Sequence, residues 1–187
     1  MVKRTFDLFL AFGLLVVFFF PILFVAALVR FTSPGPALYW SQRFGKNNAL
    51  FSMPKFRTMK IDAPEVATHL LENPASYLTS IGPFLRKMSL DELPQLWSIL
   101  CGDMSFVGPR PALFNQIDLV ELRTQCGVDS LTPGLTGWAQ INGRDELPIA
   151  EKVALDKDYL KNQSLLLDIK ILWLTLFAVL DQKGVSH

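Results

Sequence analysis

The chain has 187 residues, of which half are hydrophobic and 19% are charged, enough for one domain with a sizeable core but too apolar for an ordinary soluble protein. A net charge of +1, with no dense basic tract and no zinc-finger spacing, excludes nucleic acid as a partner. Cys101 and Cys126 stand alone, and they read as reduced thiols in a cytoplasmic setting, not as a metal site or a secreted disulfide framework.

From Leu8 to Val29 no residue is charged, and roughly 22 apolar residues are about what a helix needs to cross a bilayer core. Its length and the Phe31-Thr32-Ser33-Pro34 sequence that follows argue against a cleavable signal peptide. Pro21 lies inside the run and removes one helical hydrogen bond. Proline is common enough in spanning helices that this residue alone leaves a spanning helix ahead. The flanks shift the balance. Lys3 and Arg4 precede the run and Arg30, Arg43 and Lys46 follow it, so no charge asymmetry separates the two ends. A helix that enters, breaks at Phe20-Pro21 and returns to the same face fits this, and Asp7, one turn from Lys3, reads as a paired interfacial charge.

Ser33-Pro34-Gly35-Pro36 ends the membrane element. Two β-like pieces follow, Ala37 to Gln42 and Leu50 to Met53, around the turn Gly45-Lys46-Asn47-Asn48, and they predict a hairpin. If the second strand continues, Lys55 and Arg57 share a face and could hold a diphosphate, or equally be a solvated edge. Residues 61 to 80, interrupted by Pro64 and Pro74, predict a loop with a short helix, and His69 within it reads as a surface residue.

Asp91 and Glu92 sit where a helix begins, after Arg86 and Lys87 and ahead of Leu93, Leu96, Trp97 and Leu100, whose spacing predicts a helix ending near Gly102. A helix N-terminus favours carboxylates and phosphates alike. Ser89-Leu90-Asp91-Glu92 also matches a capping box, in which Glu92 would only tie back to a backbone N–H. Pro94 favours a start nearer Asp91. At this point the acidic pair is either a cap or a catalytic pair.

Gly108-Pro109-Arg110-Pro111 is a rigid turn presenting Arg110, and a second glycine-punctuated loop from Leu131 ends at Arg144; guanidinium groups suit phosphates through planar, bidentate hydrogen bonds. Residues 149 to 161 predict an exposed amphipathic helix with Glu151, Lys152, Asp156, Lys157 and Asp158 on its wet side. Ile171 to Leu180 is apolar but covers only about 15 Å as a helix, half a bilayer core, so it lies in the interface or packs in the core.

The motifs Arg4-Thr5-Phe6-Asp7, Thr32-Ser33-Pro34-Gly35-Pro36, Lys55-Phe56-Arg57-Thr58-Met59, Ser89-Leu90-Asp91-Glu92-Leu93-Pro94-Gln95-Leu96, Gly102-Asp103-Met104-Ser105-Phe106-Val107-Gly108-Pro109-Arg110-Pro111 and Pro133-Gly134-Leu135-Thr136-Gly137-Trp138-Ala139-Gln140 follow one another along nearly the whole chain. In this order the chain resembles the bacterial sugar transferases that start glycan assembly on a polyprenyl phosphate, the monotopic phosphoglycosyl transferases, in their minimal catalytic form. The resemblance implies an α+β fold with an N-terminal re-entrant membrane helix, a small β-hairpin and several helices, amphipathic interfacial ones among them. It also implies one domain over residues 1–187, of which 1–31 are membrane-inserted and 32–187 form a membrane-associated catalytic part on the cytoplasmic face of the bacterial inner membrane.

The reaction implied is transfer of a phosphosugar from a UDP-sugar to polyprenyl phosphate, here undecaprenyl phosphate, with release of UMP. Asp91 would be the nucleophile, forming a covalent phosphosugar aspartate, and Glu92 would assist through the metal or as a base. The metal implied is Mg²⁺, held by Asp91 and Glu92, because an anionic nucleophile meeting a diphosphate needs its charge neutralised. Arg86 matches the arginine that precedes the acidic pair in the family, with Arg110 and Arg144, then Lys55 and Arg57, as further substrate contacts. Membrane lipids are partners, and a homo-oligomer is compatible with the reading. Two positions depart from the family pattern, Phe20-Pro21 where a Ser-Pro pair is usual and Asn48 where glycine is common. The alternative function is a membrane-bound nucleotide-sugar hydrolase using the same pair; a non-catalytic membrane scaffold is the third reading.

Overall fold

The computed structural model describes residues 2–64, 73–143 and 147–180. Its first element, α1 (Val2–Thr32), is one helix of 31 residues, about 46 Å long at the usual rise. The chain stays helical through Phe20 and Pro21. Proline removes a single hydrogen bond, and the leucines, alanines and phenylalanines around it keep the remaining ladder, so nothing forces the backbone out of helix at that point.

Two antiparallel strands follow, β1 (Leu38–Phe44) and β2 (Leu50–Phe56), in register from Leu38 opposite Phe56 to Phe44 opposite Leu50. Both are longer than their alternation suggests. Asn47 and Asn48 in the connecting turn adopt φ of 54° and 58°, the left-handed region that Asn tolerates better than other side-chain-bearing residues. This is why asparagine can stand at position 48 where the family pattern has glycine. Of the polar stretch 61–80, a 3₁₀ turn at Pro74–Tyr77 is seen, while His69 lies outside the described residues.

After the short α2 (Gly82–Lys87), a 3₁₀ turn at Leu90–Glu92 leads into α3 (Gln95–Cys101). Gly102, at φ 98°, closes α3 in the left-handed conformation that glycine adopts without strain. Two three-residue strands, β3 (Ser105–Val107) and β4 (Gly134–Thr136), pair in parallel, with α4 (Ile117–Gln125) between them. The helices α5 (Trp138–Ile141), α6 (Ile149–Asn162) and α7 (Leu165–Leu180) complete the chain. The apolar run read from Ile171 thus begins six residues earlier, and α7 has 16 residues, about 24 Å.

The main core joins Ala11 of α1, Met53 of β2, Leu96 and Ile99 of α3, Phe106 and Val107 of β3, Tyr159 of α6 and Ile171 of α7. A second cluster joins Val25 and Val29, near the other end of α1, to Phe56 and Leu85. Both ends of α1 therefore pack on one body.

Polar contacts fix the same two ends. Arg4 donates through Nη1 to the carbonyl of Ile99 and through Nη2 to that of Leu100, at 2.8 Å for the second. These are carbonyls of the last turn of α3, where the helix carries partial negative charge. The spacing pairs Asp7 with Lys3, but the structure separates them. Lys3 Nζ lies 2.7 Å from Asp168 Oδ2, while buried Asp7 accepts from Ser105 Oγ at 2.8 Å and from the Phe106 N–H at 3.2 Å. Asp7 is drawn inward because the start of β3 offers donors that water cannot reach. At the other end, Arg57 Nη2 donates to Ser33 Oγ at 3.0 Å and to the Ser33 carbonyl at 3.2 Å, and its Nη1 donates to the Pro34 carbonyl.

Candidate active site

The acidic pair lies in the 3₁₀ turn that precedes α3, not inside that helix, and Pro94 directly precedes the first α-helical residue. The capping box does not form. Ser89 adopts φ 54° and makes no side-chain cap bond, and Glu92 points instead to two cations. Lys55 Nζ stands 3.0 Å from Glu92 Oε1 and Arg110 Nη2 3.5 Å from the same oxygen. Of the two readings open in the sequence, the cap is thereby removed.

Lys55 arrives from β2 and Arg110 from the turn after β3. The approach of that turn depends on glycine. Gly108, Gly134 and Gly137 meet backbone to backbone, where a Cβ on Gly134 or Gly137 would collide with Gly108. The Gly108 N–H donates to the Thr136 carbonyl and the Gly134 N–H to the Pro109 carbonyl, both at 2.9 Å. Behind the turn, Arg123 of α4 donates from Nη1 to the Arg110 carbonyl at 2.8 Å, and from Nη2 and Nε to Asp156 Oδ2 of α6 at 2.7 and 2.9 Å. Asp156, placed on the wet side of its helix by the amphipathic pattern, is 1% exposed. Arg123 pulls it inward, since a buried guanidinium requires a carboxylate partner.

Arg86 of α2 donates from Nε to Thr58 Oγ1 at 3.0 Å. Burial lowers its pKa, and the nearby Asp91 carboxylate raises it. The structure thus gathers Asp91, Glu92, Arg86, Arg110 and Lys55. It parts Lys55 from Arg57, because β2 ends at Phe56 and the Arg57 guanidinium turns to Ser33 and Pro34. Arg57 holds the end of α1, its guanidinium hydrogen-bonded to Ser33 and Pro34 and not to the acidic pair. Arg144 lies outside the described residues.

The two carboxylates differ in state. Burial pushes Asp91 up to about 6, with Lys55, Arg86 and Arg110 opposing and Glu92 adding to the rise. Burial would also raise Glu92, but Lys55 and Arg110 together outweigh it and hold Glu92 down at about 2. Neighbouring acids whose environments drive their titration apart are suited to different tasks. Glu92 stays a paired anion near neutral pH, whereas Asp91 is a poorly solvated carboxylate suited to nucleophilic attack.

Among the described residues no three His, Cys, Asp or Glu side chains gather as a metal cage. Two adjacent carboxylates fit Mg²⁺ in its usual manner, in which phosphate oxygens and water complete the shell.

A small cavity opens beside Glu92, lined by Arg43, Met53, Lys55, Glu92, Gln95 and Arg110 among others. Sequence reasoning assigned no role at the site to Arg43, Gln95 or Arg123. The hairpin register places Arg43, Ser41, Met53 and Lys55 on one face, so alternation with a known register finds Arg43. Gln95 and Arg123 leave no such local signal.

A model of the family described as bacterial sugar transferase matches residues 1–182. The chain belongs to that family. The transferase is 42% identical over 185 residues to the uncharacterized sugar transferase EpsL of Bacillus subtilis (strain 168), covering 99% of this chain and 90% of that protein. It is 38% identical to the exopolysaccharide production protein ExoY of Rhizobium meliloti (strain 1021), over 98% of this chain and 88% of the relative. It is also 39% identical to the UDP-glucose:undecaprenyl-phosphate glucose-1-phosphate transferase of Escherichia coli (strain K12), over 95% of this chain but 40% of that longer protein. The transferase is an enzyme.

Proposed function

We propose that the transferase moves a sugar phosphate from a UDP-sugar to undecaprenyl phosphate and releases UMP. The observation that carries this is the division of labour at the acidic pair, Glu92 held by Lys55 and Arg110 while buried Asp91 has its pKa raised to about 6. Relatives named for glucose and galactose phosphate transfer to undecaprenyl phosphate support the substrates.

In the first half-reaction an Asp91 carboxylate oxygen attacks the β-phosphorus. A bond forms from that oxygen to phosphorus, the bond to the oxygen bridging the two phosphates breaks, and UMP leaves with the bridging oxygen. In the second, a phosphate oxygen of the lipid attacks the same phosphorus and frees Asp91, leaving undecaprenyl diphosphate sugar. Lys55, Arg86 and Arg110 offset the charge of the approaching diphosphate. Mg²⁺ held by Asp91 and Glu92 would supply Lewis-acid stabilisation of the phosphoryl oxygens.

On this reading the lipid acceptor and the soluble donor meet at the cytoplasmic membrane surface. Phe9, Phe12, Val17, Phe20 and Phe24 of α1 and Leu166, Trp173 and Phe177 of α7 are exposed, and apolar surface of this extent marks membrane contact. Because both ends of α1 are fixed to one polar body, we read α1 as entering and returning to the same face, bent at Pro21 while remaining helical.

The decisive test is incubation with UDP-glucose or UDP-galactose and no lipid. UMP release with a phosphohexose adduct on Asp91 is the expected result. A normal rate in Asp91→Asn refutes the assignment. Release of free sugar phosphate regardless of added undecaprenyl phosphate turns the reading into hydrolysis.

A further inference from the structure

Gln95 is the first residue of α3, four positions after Asp91. Its side chain is 2% exposed, and its Nε2 has no hydrogen-bond partner. A buried amide donor without an acceptor is destabilising, and in folded proteins such a group usually meets a ligand or ordered water. Gln95 lines the same small cavity as Glu92, Lys55, Arg43 and Arg110. Three cations and one ionised carboxylate give that cavity wall a positive surplus, which draws an anion with acceptor oxygens. A phosphoryl group supplies both.

On the reading given under Proposed function, we infer that Gln95 is a substrate-contacting residue whose Nε2 donates to a nonbridging oxygen of the donor phosphate that Asp91 attacks. A neutral donor suits the position. A further lysine or arginine beside Asp91 would pair with its carboxylate and weaken the nucleophile, whereas an amide hydrogen-bonds the phosphoryl oxygen and adds no cation to those already near the aspartate. The contact strengthens as negative charge accumulates on that oxygen in the transition state.

The test uses the full chain in detergent and two readouts, UMP release without lipid acceptor against UDP-hexose concentration, and the thermal midpoint without ligand. Gln95→Met keeps the length and removes the donor. The expected result is a tenfold to hundredfold fall in kcat/KM for UMP release together with an unchanged or higher midpoint, because an unanswered buried amide has been removed. Gln95→Glu sets an anion against the phosphate and should lose more than a hundredfold. Should the Met variant not fold, Gln95→Asn, which withdraws the amide by one methylene, carries the same expected loss.

A Met variant with unchanged concentration dependence and rate per folded molecule overturns the inference, and it leaves the proposed reaction standing when the wild type releases UMP. A wild type that releases no UMP from any UDP-hexose removes the proposed reaction, and this inference with it.

Discussion

Burial withholds water from the Asp91 carboxyl while the charge of Lys55 and Arg110 is directed at Glu92, so the ionised form of Asp91 is held at a disadvantage in the ligand-free protein. Its folded value of about 6 lies above the ordinary 3.8. A raised carboxyl value means that the folded state binds the proton more tightly than the unfolded chain. Stability from this group is full at low pH and declines as pH rises from about 4 to about 6, by up to about 3 kcal/mol for a shift of this size. Glu92 acts oppositely, its contribution being lost only as pH falls below about 4.5 toward 2. In chelator, Asp91→Asn should therefore raise the melting temperature at pH 7.5, by about 1–3 kcal/mol of stability, and should flatten the pH dependence between 4.5 and 6. Calorimetry at a series of pH values measures both. An Asn variant that melts lower than the wild type at pH 7.5 would refute the buried-carboxylate account.

The same titration governs rate. Protonated Asp91 cannot attack phosphorus, so single-turnover UMP release should fall about tenfold per pH unit once the pH drops well below the Asp91 value. Lys55→Met, which removes one of the two cations on Glu92, should move that acidic limb upward, because Lys55 also lowers Asp91. A pH–rate profile that is flat from 5 to 8 contradicts the assignment of Asp91 as nucleophile.

At the scale of elements, the Pro109-Arg110-Pro111 turn is held from behind by the ion pair between α4 and α6. Asp156→Asn leaves the Arg123 guanidinium buried without its anion, and breaking a buried pair from one side costs about 3–5 kcal/mol. The variant should melt markedly lower and, in its folded fraction, show weaker dependence of UMP release on Arg110, measured as a smaller effect of Arg110→Met in the Asn background. If the two substitutions add independently, the pair does not position Arg110.

This element also marks where sequence reading ends. The amphipathic pattern finds α6 but counts every charge as wet, so it places Asp156 in water; only knowledge of Arg123 across the interface brings it inside. The hairpin is legible because alternation and its asparagine turn are local signals. The parallel β3–β4 pair is not, since three-residue strands separated by 29 positions in register leave no periodicity to detect. The start of α7 is hidden for a related reason. Asp168 and Lys170 interrupt its apolar run, although Asp168 is buried with Lys3 and Tyr159 as partners. Whole motifs were more informative than single residues, since Lys55, Asp91 and Arg110 lie far apart in the chain and only the fold makes them neighbours.

Across the whole molecule, α1 decides how the site meets the membrane. The helix is long enough for a span with residues to spare, and composition alone favours one. Against a simple span stands the anchoring. Lys3 and Asp7 are tied to α7 and β3 at one end, and Ser33 and Pro34 to Arg57 at the other. A helix crossing perpendicular to the bilayer would draw this polar body through the hydrocarbon core, at several kcal/mol for each buried group left without a partner. On the reading proposed above, with α1 bent at Pro21, the body stays on one side and only the exposed face that includes Phe12, Val16, Val17, Phe19 and Phe20 is submerged. Single cysteines introduced at Val2 and at Pro36, in a background with Cys101 and Cys126 replaced by serine, should therefore react equally with an impermeant maleimide in sealed vesicles of one orientation. Opposite accessibility of the two positions would establish a span. A further variant separates the anchors from the bend: Arg57→Met loosens the Ser33-Pro34 end, so it should lower the thermal midpoint in detergent while leaving both cysteines on the same side.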